Sequence, residues 1–349
     1  MWTIRRSTRD RRVIVAERAP EHAGDGAGGT AVPSPMPAAA TSGASGRVGV
    51  VVATRDRASE LLGTLGRLRS LPERPQVVVV DNGSGDGTPE RVRRAYPDVD
   101  VVELGRNLGG AARTTGAERL ATPYVAFSDD DSWWAPGALA RAAALLDRHP
   151  RLAVLAARVL VGPEERPDPV CLAMAASPLP PAGDLPGPPV LGFVACGAVA
   201  RRATFLAAGG FDRRFGVGGE EEVLALDLAA AGWGLAYVEA VVAHHHPSPS
   251  RDPGRRRQVQ LRNGLWAAWR RRRLPGAVRR TRALLGASAA ASGTNSGWRD
   301  PATRAGLMEA LRGLPWVLRE RRPLPPAVEA AVRRLEREQR EQREQREHT

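Results

Sequence analysis

The chain has 349 residues, 42% of them hydrophobic, which suits one large core with extensions or two modest domains. Its net charge of +13 is carried entirely by arginine, and the absence of lysine excludes Schiff-base chemistry and a Walker phosphate loop. Only Cys171 and Cys196 are cysteines, which excludes a disulfide framework or a zinc-ligand pattern and suits a reducing compartment.

Residues 1–45 are rich in Ala, Gly, Pro and Ser and lack periodicity, so they read as a disordered tail. The apolar run Val13–Ala16 is too short for a signal peptide, and nothing approaches the roughly 18 apolar residues of a membrane span. The expected location is cytoplasmic, at most peripheral at the inner face of the plasma membrane. From Val48 the texture changes. Val48–Ala53 predicts a buried strand, Leu61, Leu62, Leu65 and Leu68 a helix, and Val77–Val80 a second strand. A short helix follows over Pro89–Ala95, a strand over Val99–Leu104, a helix over Gly110–Leu120 and a strand over Tyr124–Phe127. This alternation predicts an α/β fold with a mostly parallel central sheet.

Further on, a helix is expected over Ala138–Asp147 and a strand over Leu152–Leu160. A long Pro/Gly-rich loop is expected from Gly162 to Pro189, where a lid or acceptor loop would fit. Then come a strand over Phe193–Ala200, helices over Arg202–Ala208 and Glu221–Ala231, and a strand over Tyr237–Ala243. Cys196, within an apolar run, reads as a small buried hydrophobe. The expected organisation is a catalytic domain over 46–250, an arginine-rich helical extension over 251–335, and a polar Glu-Gln-Arg tail over 336–349.

Ligands of open α/β sheets bind at the carboxyl ends of the strands, and the polar residues gather there. The first strand ends in Thr54-Arg55-Asp56-Arg57, the second in Asp81-Asn82-Gly83-Ser84-Gly85-Asp86-Gly87-Thr88. The third ends in Gly105-Arg106-Asn107-Leu108-Gly109-Gly110, the fourth in Ser128-Asp129-Asp130-Asp131. Each alone is an ordinary polar turn; four on one edge make a site. Asp81 is placed to accept from a base edge. Gly109-Gly110, opening a helix, offers backbone N–H groups to a diphosphate, and Arg113 one turn on can pair with a phosphate oxygen. Three adjacent carboxylates repel unless a cation neutralises them, which points to Mg²⁺ or Mn²⁺ bridging to substrate phosphates.

The order of strand, Asp-Asn-Gly-Ser-x-Asp-Gly-Thr, Arg-Asn-x-Gly-Gly and an Asp-x-Asp cluster resembles the family-2 glycosyltransferases of GT-A fold. The later Gly209-Gly210-Phe211-Asp212, Phe215, Gly219-Glu220-Glu221 and Gly232-Trp233 look like the acceptor side of the same family, so the resemblance spans Val48 to His246. It implies an inverting, metal-assisted transfer of a hexosyl or deoxyhexosyl group from a nucleoside-diphosphate sugar. The acceptor hydroxyl would belong to a glycan, a lipid-linked or a small molecule. It further implies that Thr54, Arg57 and Asp81 hold the nucleoside, with Asn107, Gly109, Arg113 and Asp130 also on the donor side. Asp129 and Asp131 would contact ribose and metal. Glu221 takes the general base position, usually an aspartate, with Glu220 beside it. Asp227, almost two turns later, is expected to face solvent.

His244-His245-His246 ends the last strand, and alternation puts His244 and His246 on one face and His245 on the other. His246 is the candidate metal ligand, with the choice among the three histidines left open. The basic, Trp-bearing stretch Arg262–Arg273 reads either as a helix lying on anionic lipid or as one packed onto the catalytic domain, the packed form being favoured. Two alternatives fit the residues less well. A sugar-phosphate nucleotidylyltransferase would need a Gly-rich loop with Arg and Lys after the first strand, which is absent. An arginine-rich nucleic-acid-binding protein leaves the carboxylate triplet unexplained, so no nucleic-acid partner is expected.

Overall fold

The computed structural model describes residues 46–248, 253–291 and 300–347, so the expected tail over 1–45 lies outside the described residues. Nine strands form one sheet: β1 (Val48–Thr54), β2 (Val77–Asp81), β3 (Asp100–Glu103), β4 (Tyr124–Asp129), β5 (Ser132–Trp134), β6 (Leu152–Val161), β7 (Arg166–Pro167), β8 (Ala198–Arg201) and β9 (Gly234–His245). The order is β3-β2-β1-β4-β8-β6-β9-β5, with β7 pairing β6. β1 pairs in parallel with β2 and β4, and β2 with β3. β8 runs antiparallel to both β4 and β6, and β9 parallel to β6.

The helices of this region are α1 (Ala58–Arg69), α2 (Thr88–Ala95), α3 (Ala112–Arg119), α4 (Ala138–Arg148), α5 (Pro169–Ala175), α6 (Arg202–Ala207) and α7 (Glu220–Ala230). Pleating sends alternate strand residues to opposite faces, and the valine-rich strands feed two cores. Val50, Val52, Val77 and Val79 pack with Leu61, Leu65 and Leu68 of α1 and with Leu139 and Leu146 of α4. Val51, Val78, Val80 and Phe127 pack on the other side with Ala112 and Ala117 of α3, Phe205 of α6 and Leu224 and Leu228 of α7. Helices therefore cover both faces of a mostly parallel sheet.

Local differences from the sequence expectation have local causes. The stretch 162–189 carries β7 and α5, and Asp168 caps α5 by accepting from the Val170 N–H at 2.7 Å. The strand expected over Phe193–Ala200 is confined to β8, because a 3₁₀ turn occupies Ala195–Gly197. The helix expected from Gly110 opens as a 3₁₀ turn over Gly109–Ala111 before α3 begins.

The C-terminal part consists of α8 (Pro253–Arg271), α9 (Leu274–Ala291), α10 (Pro301–Arg319) and α11 (Pro326–Glu347), and α11 continues unbroken past position 336. Trp266 of α8 is buried, donates its indole N–H to the Ala310 carbonyl at 3.0 Å, and meets Phe215 and Trp316 edge-on at 5.9 and 5.2 Å. The arginines of this stretch face acids and carbonyls. Arg270 pairs with Asp212 at 2.9 Å, Arg271 with Asp227 at 2.9 Å and Arg272 with Glu329 at 3.0 Å. Arg262 pairs with Glu309 at 3.0 Å. The basic Trp-bearing segment is thus a packed helix. Asp227, expected in solvent, is instead the partner of Arg271.

Asn263 is 1% exposed, and its amide donates to the carbonyls of Phe215 (2.8 Å) and Gly218 in the loop before α7. Asn263→Ala deprives the part-buried Gly218 carbonyl of this donor and leaves the Phe215 carbonyl to Arg262 alone, and is expected to lower unfolding free energy by about 1–3 kcal/mol, measured by urea denaturation. A change within experimental error would mean that the loop is held by other contacts.

Candidate active site

β2 and β3 lie on one side of β1 and β4 on the other, so the chain reverses direction across the sheet between β1 and β4. Such a reversal splays the connections apart and leaves a crevice at the strands' carboxyl ends. Register pairs Ala53 with Asp129 there. One step further, Thr54 Oγ1 donates to Asp130 Oδ2 at 3.0 Å, and Arg57 reaches Asp130 Oδ1 at 3.1 Å and Asp131 Oδ2 at 3.3 Å. Asp130 is 6% exposed; burial pushes its carboxyl up to about 6 against the pull of Arg57. Asp130 therefore points into the body and ties Thr54 and Arg57 together.

Asp131 turns the other way. The short strand β5 pairs antiparallel with β9, setting Ser132 opposite His245. This carries His245 Nε2 to 3.3 Å from Asp131 Oδ1, and the Ser248 N–H to 3.2 Å from Asp131 Oδ2. Burial raises the Asp131 carboxyl, but His245, the Ser248 N–H and Arg57 outweigh it and hold the group below its usual range. His244 and His246 both pack on Trp133, at 5.5 and 4.7 Å between ring centroids. The β5–β9 register turns His245, rather than the expected His246, toward the carboxylates. Asp129, Cys196 and His245 each bring a potential ligand atom within 4.8 Å of the others. Cys196 is buried as expected, yet its thiol belongs to this cluster.

The Asn107–Arg113 segment departs from the expected anion cradle. Asn107 is exposed, and its side-chain carbonyl accepts from the Gly109 N–H at 2.8 Å. The Gly110 N–H donates to the Gly216 carbonyl at 2.6 Å. Neither glycine N–H therefore points at the crevice. Gly109 has φ +60°, and a Cβ there would meet the Gly216 backbone. A Cβ on Gly110 would meet the Glu220 carboxyl. The glycines instead allow the loop before α7 to press against α3, bringing the glutamates to Arg113.

Arg113 is 8% exposed and pairs with Asp129, and its Nε has no partner among the described residues. Burial weakens its hold on the proton, but Asp129, Glu220 and Glu221 more than compensate, so the guanidinium stays charged. Glu220 is 2% exposed and Glu221 more accessible. Burial raises both carboxyls first. The Glu221 charge adds to the rise at Glu220, while Arg113 pulls both down. Glu220 also lines a cavity of about 400 Å³ with Thr114, Phe211, Asp212, Asp227 and Arg270, whereas Thr54, Arg57 and Asp129–Asp131 do not. That cavity lies apart from the β1–β4 crevice.

Asp81 is buried and accepts from the Gly83 and Ser84 N–H groups at 3.0 and 2.9 Å, so its carboxylate braces its own loop. Asn82 joins that loop to the next, accepting from the Leu108 N–H at 3.0 Å. The structure thus gathers Thr54, Arg57, Arg113 and Asp129–Asp131 at one crevice, with Glu220 and Glu221 against Arg113, and leaves Asn107, Gly109 and His246 turned elsewhere. Sequence reasoning left His245 as one of three candidates and missed the placement of Cys196. Strand alternation had already separated His245 from its neighbours, but nothing in the local pattern of Cys196 signalled its place.

The profile of the family described as Glycosyl transferase family 2 matches residues 49–206. An N-acetylglucosaminyl-diphospho-decaprenol L-rhamnosyltransferase of Mycobacterium tuberculosis is 27% identical over 243 residues, covering 58% of this chain and 78% of the relative. Among solved structures, a mannosyltransferase of Pyrobaculum calidifontis in complex with GDP-Man and Mn²⁺ aligns with TM-score 0.53 at 22% identity, covering 83% of this chain and 86% of the other. Staphylococcus aureus TarS in complex with UDP-GlcNAc aligns with TM-score 0.51 at 15% identity, over 79% and 82% of the two chains. These last two likenesses establish the fold; the matched profile and the rhamnosyltransferase relative support a nucleotide-sugar-dependent glycosyltransferase similar to family 2, and Thr54, Arg57, Arg113 and Asp129–Asp131 of the crevice lie within the matched segment.

Proposed function

We propose that the enzyme transfers a hexosyl or deoxyhexosyl group, with inversion, from a nucleoside-diphosphate sugar to a hydroxyl of a lipid-linked glycan precursor at the inner face of a membrane. The observation that carries the reaction class is the crevice at the ends of β1 and β4, where Arg113 pairs with Asp129 within the electrostatic reach of Glu220 and Glu221 at the start of α7. The acceptor class is inferred from the relative named for a diphospho-decaprenol acceptor.

The residues divide the work by charge. Thr54 and Arg57 form the donor wall with Asp130. Arg113 supplies a fixed positive charge where a departing diphosphate accumulates negative charge, and a preoriented charge in a buried site needs no rearrangement during the reaction. Glu221, at the first turn of α7, takes the acceptor hydroxyl's proton as its oxygen attacks the anomeric carbon. Glu220 keeps a proton beside it, so the pair carries one negative charge rather than two. Asp131, Asp129 and His245 are carboxylate and imidazole donors suited to Mn²⁺ or Mg²⁺, and the nearby Cys196 thiol tilts the set toward the softer Mn²⁺. A bound divalent ion would supply Lewis-acid neutralisation of the diphosphate.

Glu221→Gln is expected to bind donor normally while losing about 10²–10⁴-fold in transfer rate, the range for loss of a general base. Turnover at saturating donor, with donor affinity measured alongside, checks this; near-normal turnover moves the base elsewhere. Asp131→Asn is expected to abolish the metal-dependent thermal shift that nucleoside diphosphates produce in the wild type, and an unchanged metal response overturns the ligand assignment. The raised Glu220 carboxyl also predicts a pH signature. Below its ordinary pKa of 4.5 both folded and unfolded chains hold the proton; from there up to about 8 the unfolded chain releases it first, so stability falls as pH rises. Glu220→Gln mimics the protonated form, so its melting temperature relative to wild type is expected to climb across that window. A constant difference would refute the assignment.

A further inference from the structure

The surface of α10 sorts its charges by side. The acids from Asp300 to Glu320 all pair toward the protein: Asp300 with Arg257 at 3.7 Å, Glu309 with Arg262 at 3.0 Å, and Glu320 with Arg214 at 2.7 Å. The opposite face holds Arg304, Met308, Leu311, Arg312, Pro315, Leu318 and Arg319, all exposed. Met308 is 52% exposed, Leu311 61% and Leu318 48%. At 3.6 residues per turn these positions fall within an arc of about 120° that contains no acid. Arg304, Arg312 and Arg319 have no carboxylate partner among the described residues. Three large apolar side chains in water beside three uncompensated arginines are unfavourable for a free surface and suitable for one that meets both apolar and anionic matter.

We infer that the outer face of α10 docks the enzyme onto an anionic lipid bilayer. Met308, Leu311 and Leu318 enter the headgroup–acyl boundary, and Arg304, Arg312 and Arg319 lie among lipid phosphates. Charge complementarity selects this occupant: a second copy of the same face would bring arginine against arginine. No helix of the described residues is long and apolar enough to cross a membrane, so attachment through α10 is to the surface. The basic Trp-bearing segment in α8 is not the contact, since its arginines face acids and its Trp266 is buried. Contact of α8 with α10 leaves the opposite side of α10 outermost. This inference deepens the lipid-linked acceptor reading, because an enzyme on the bilayer meets such an acceptor by diffusion in two dimensions.

The test is co-sedimentation of the full chain with phosphatidylcholine vesicles, with and without phosphatidylglycerol. The wild type is expected to pellet with the anionic vesicles, to pellet far less with phosphatidylcholine alone, and to be released by salt. The Arg304→Gln, Arg312→Gln, Arg319→Gln triple variant and the Met308→Gln, Leu311→Gln double variant are each expected to bind about tenfold or more weakly. None of these residues lines the crevice, so nucleoside-diphosphate binding should stay at wild-type level in both, which separates failure of docking from failure of the glycosyltransferase site. Wild-type protein left in the supernatant overturns the inference, as does binding unaffected by either variant. Dimerisation that the double variant abolishes, without vesicle binding, assigns the face to a second copy and overturns it equally.

Discussion

Negative charge is the constraint around which the catalytic region is arranged. Asp129, Asp130 and Asp131 close β4, and Glu220 and Glu221 open α7 beside Arg113. Unpaired carboxylates in such a setting repel one another and lose hydration, a cost that burial multiplies. The fold answers with buried or half-buried partners on separate elements, two of them arginines. Arg57 joins Asp130 to Asp131, Arg113 faces Asp129 and both glutamates, and His245 meets Asp131. The result is a crevice whose aspartates each have a partner before any substrate arrives.

That balance depends on segments far from the strand ends. The loop before α7 is held from behind by Arg262 and Asn263, which both donate to the Phe215 carbonyl, at 2.7 and 2.8 Å. Arg270 anchors Asp212 ahead of the loop, and Arg271 anchors Asp227 near the far end of α7. From the front, the Gly216 carbonyl is pinned by the Gly110 N–H. α7 therefore presents its glutamates at an angle set jointly by α3 and α8. The C-terminal helices are part of the scaffold of these two glutamates, and several of the chain's arginines serve that internal bracing.

The elements of the αβ alternation were legible because valine runs and leucine spacing are local signals. Val48–Ala53 and Val77–Val80 lie in strands, and Leu61, Leu65 and Leu68 line one helix face. β5 was not legible: three residues carry no periodicity, and Ser132–Trp134 is a strand only because β9 lies beside it. The same pairing decides the histidine. Alternation separated His245 from His244 and His246, but which side faces the site is a matter of register between strands distant in sequence.

The glycines show the same division. Gly109-Gly110 announces a tight turn before a helix, and a free helix start of that kind binds anions. In the folded chain both N–H groups are already taken, by Asn107 and by Gly216. Cys196 lies in an apolar run that says only that it is buried, and its neighbours Asp129 and His245 come from other strands. Residue type and spacing thus set which secondary elements form, which strand ends carry carboxylates, and hence the reaction class. Partners for those side chains follow from long-range pairing: a hydrogen-bonding group takes whatever donor or acceptor the sheet register and helix packing bring within reach, and no local pattern encodes that meeting.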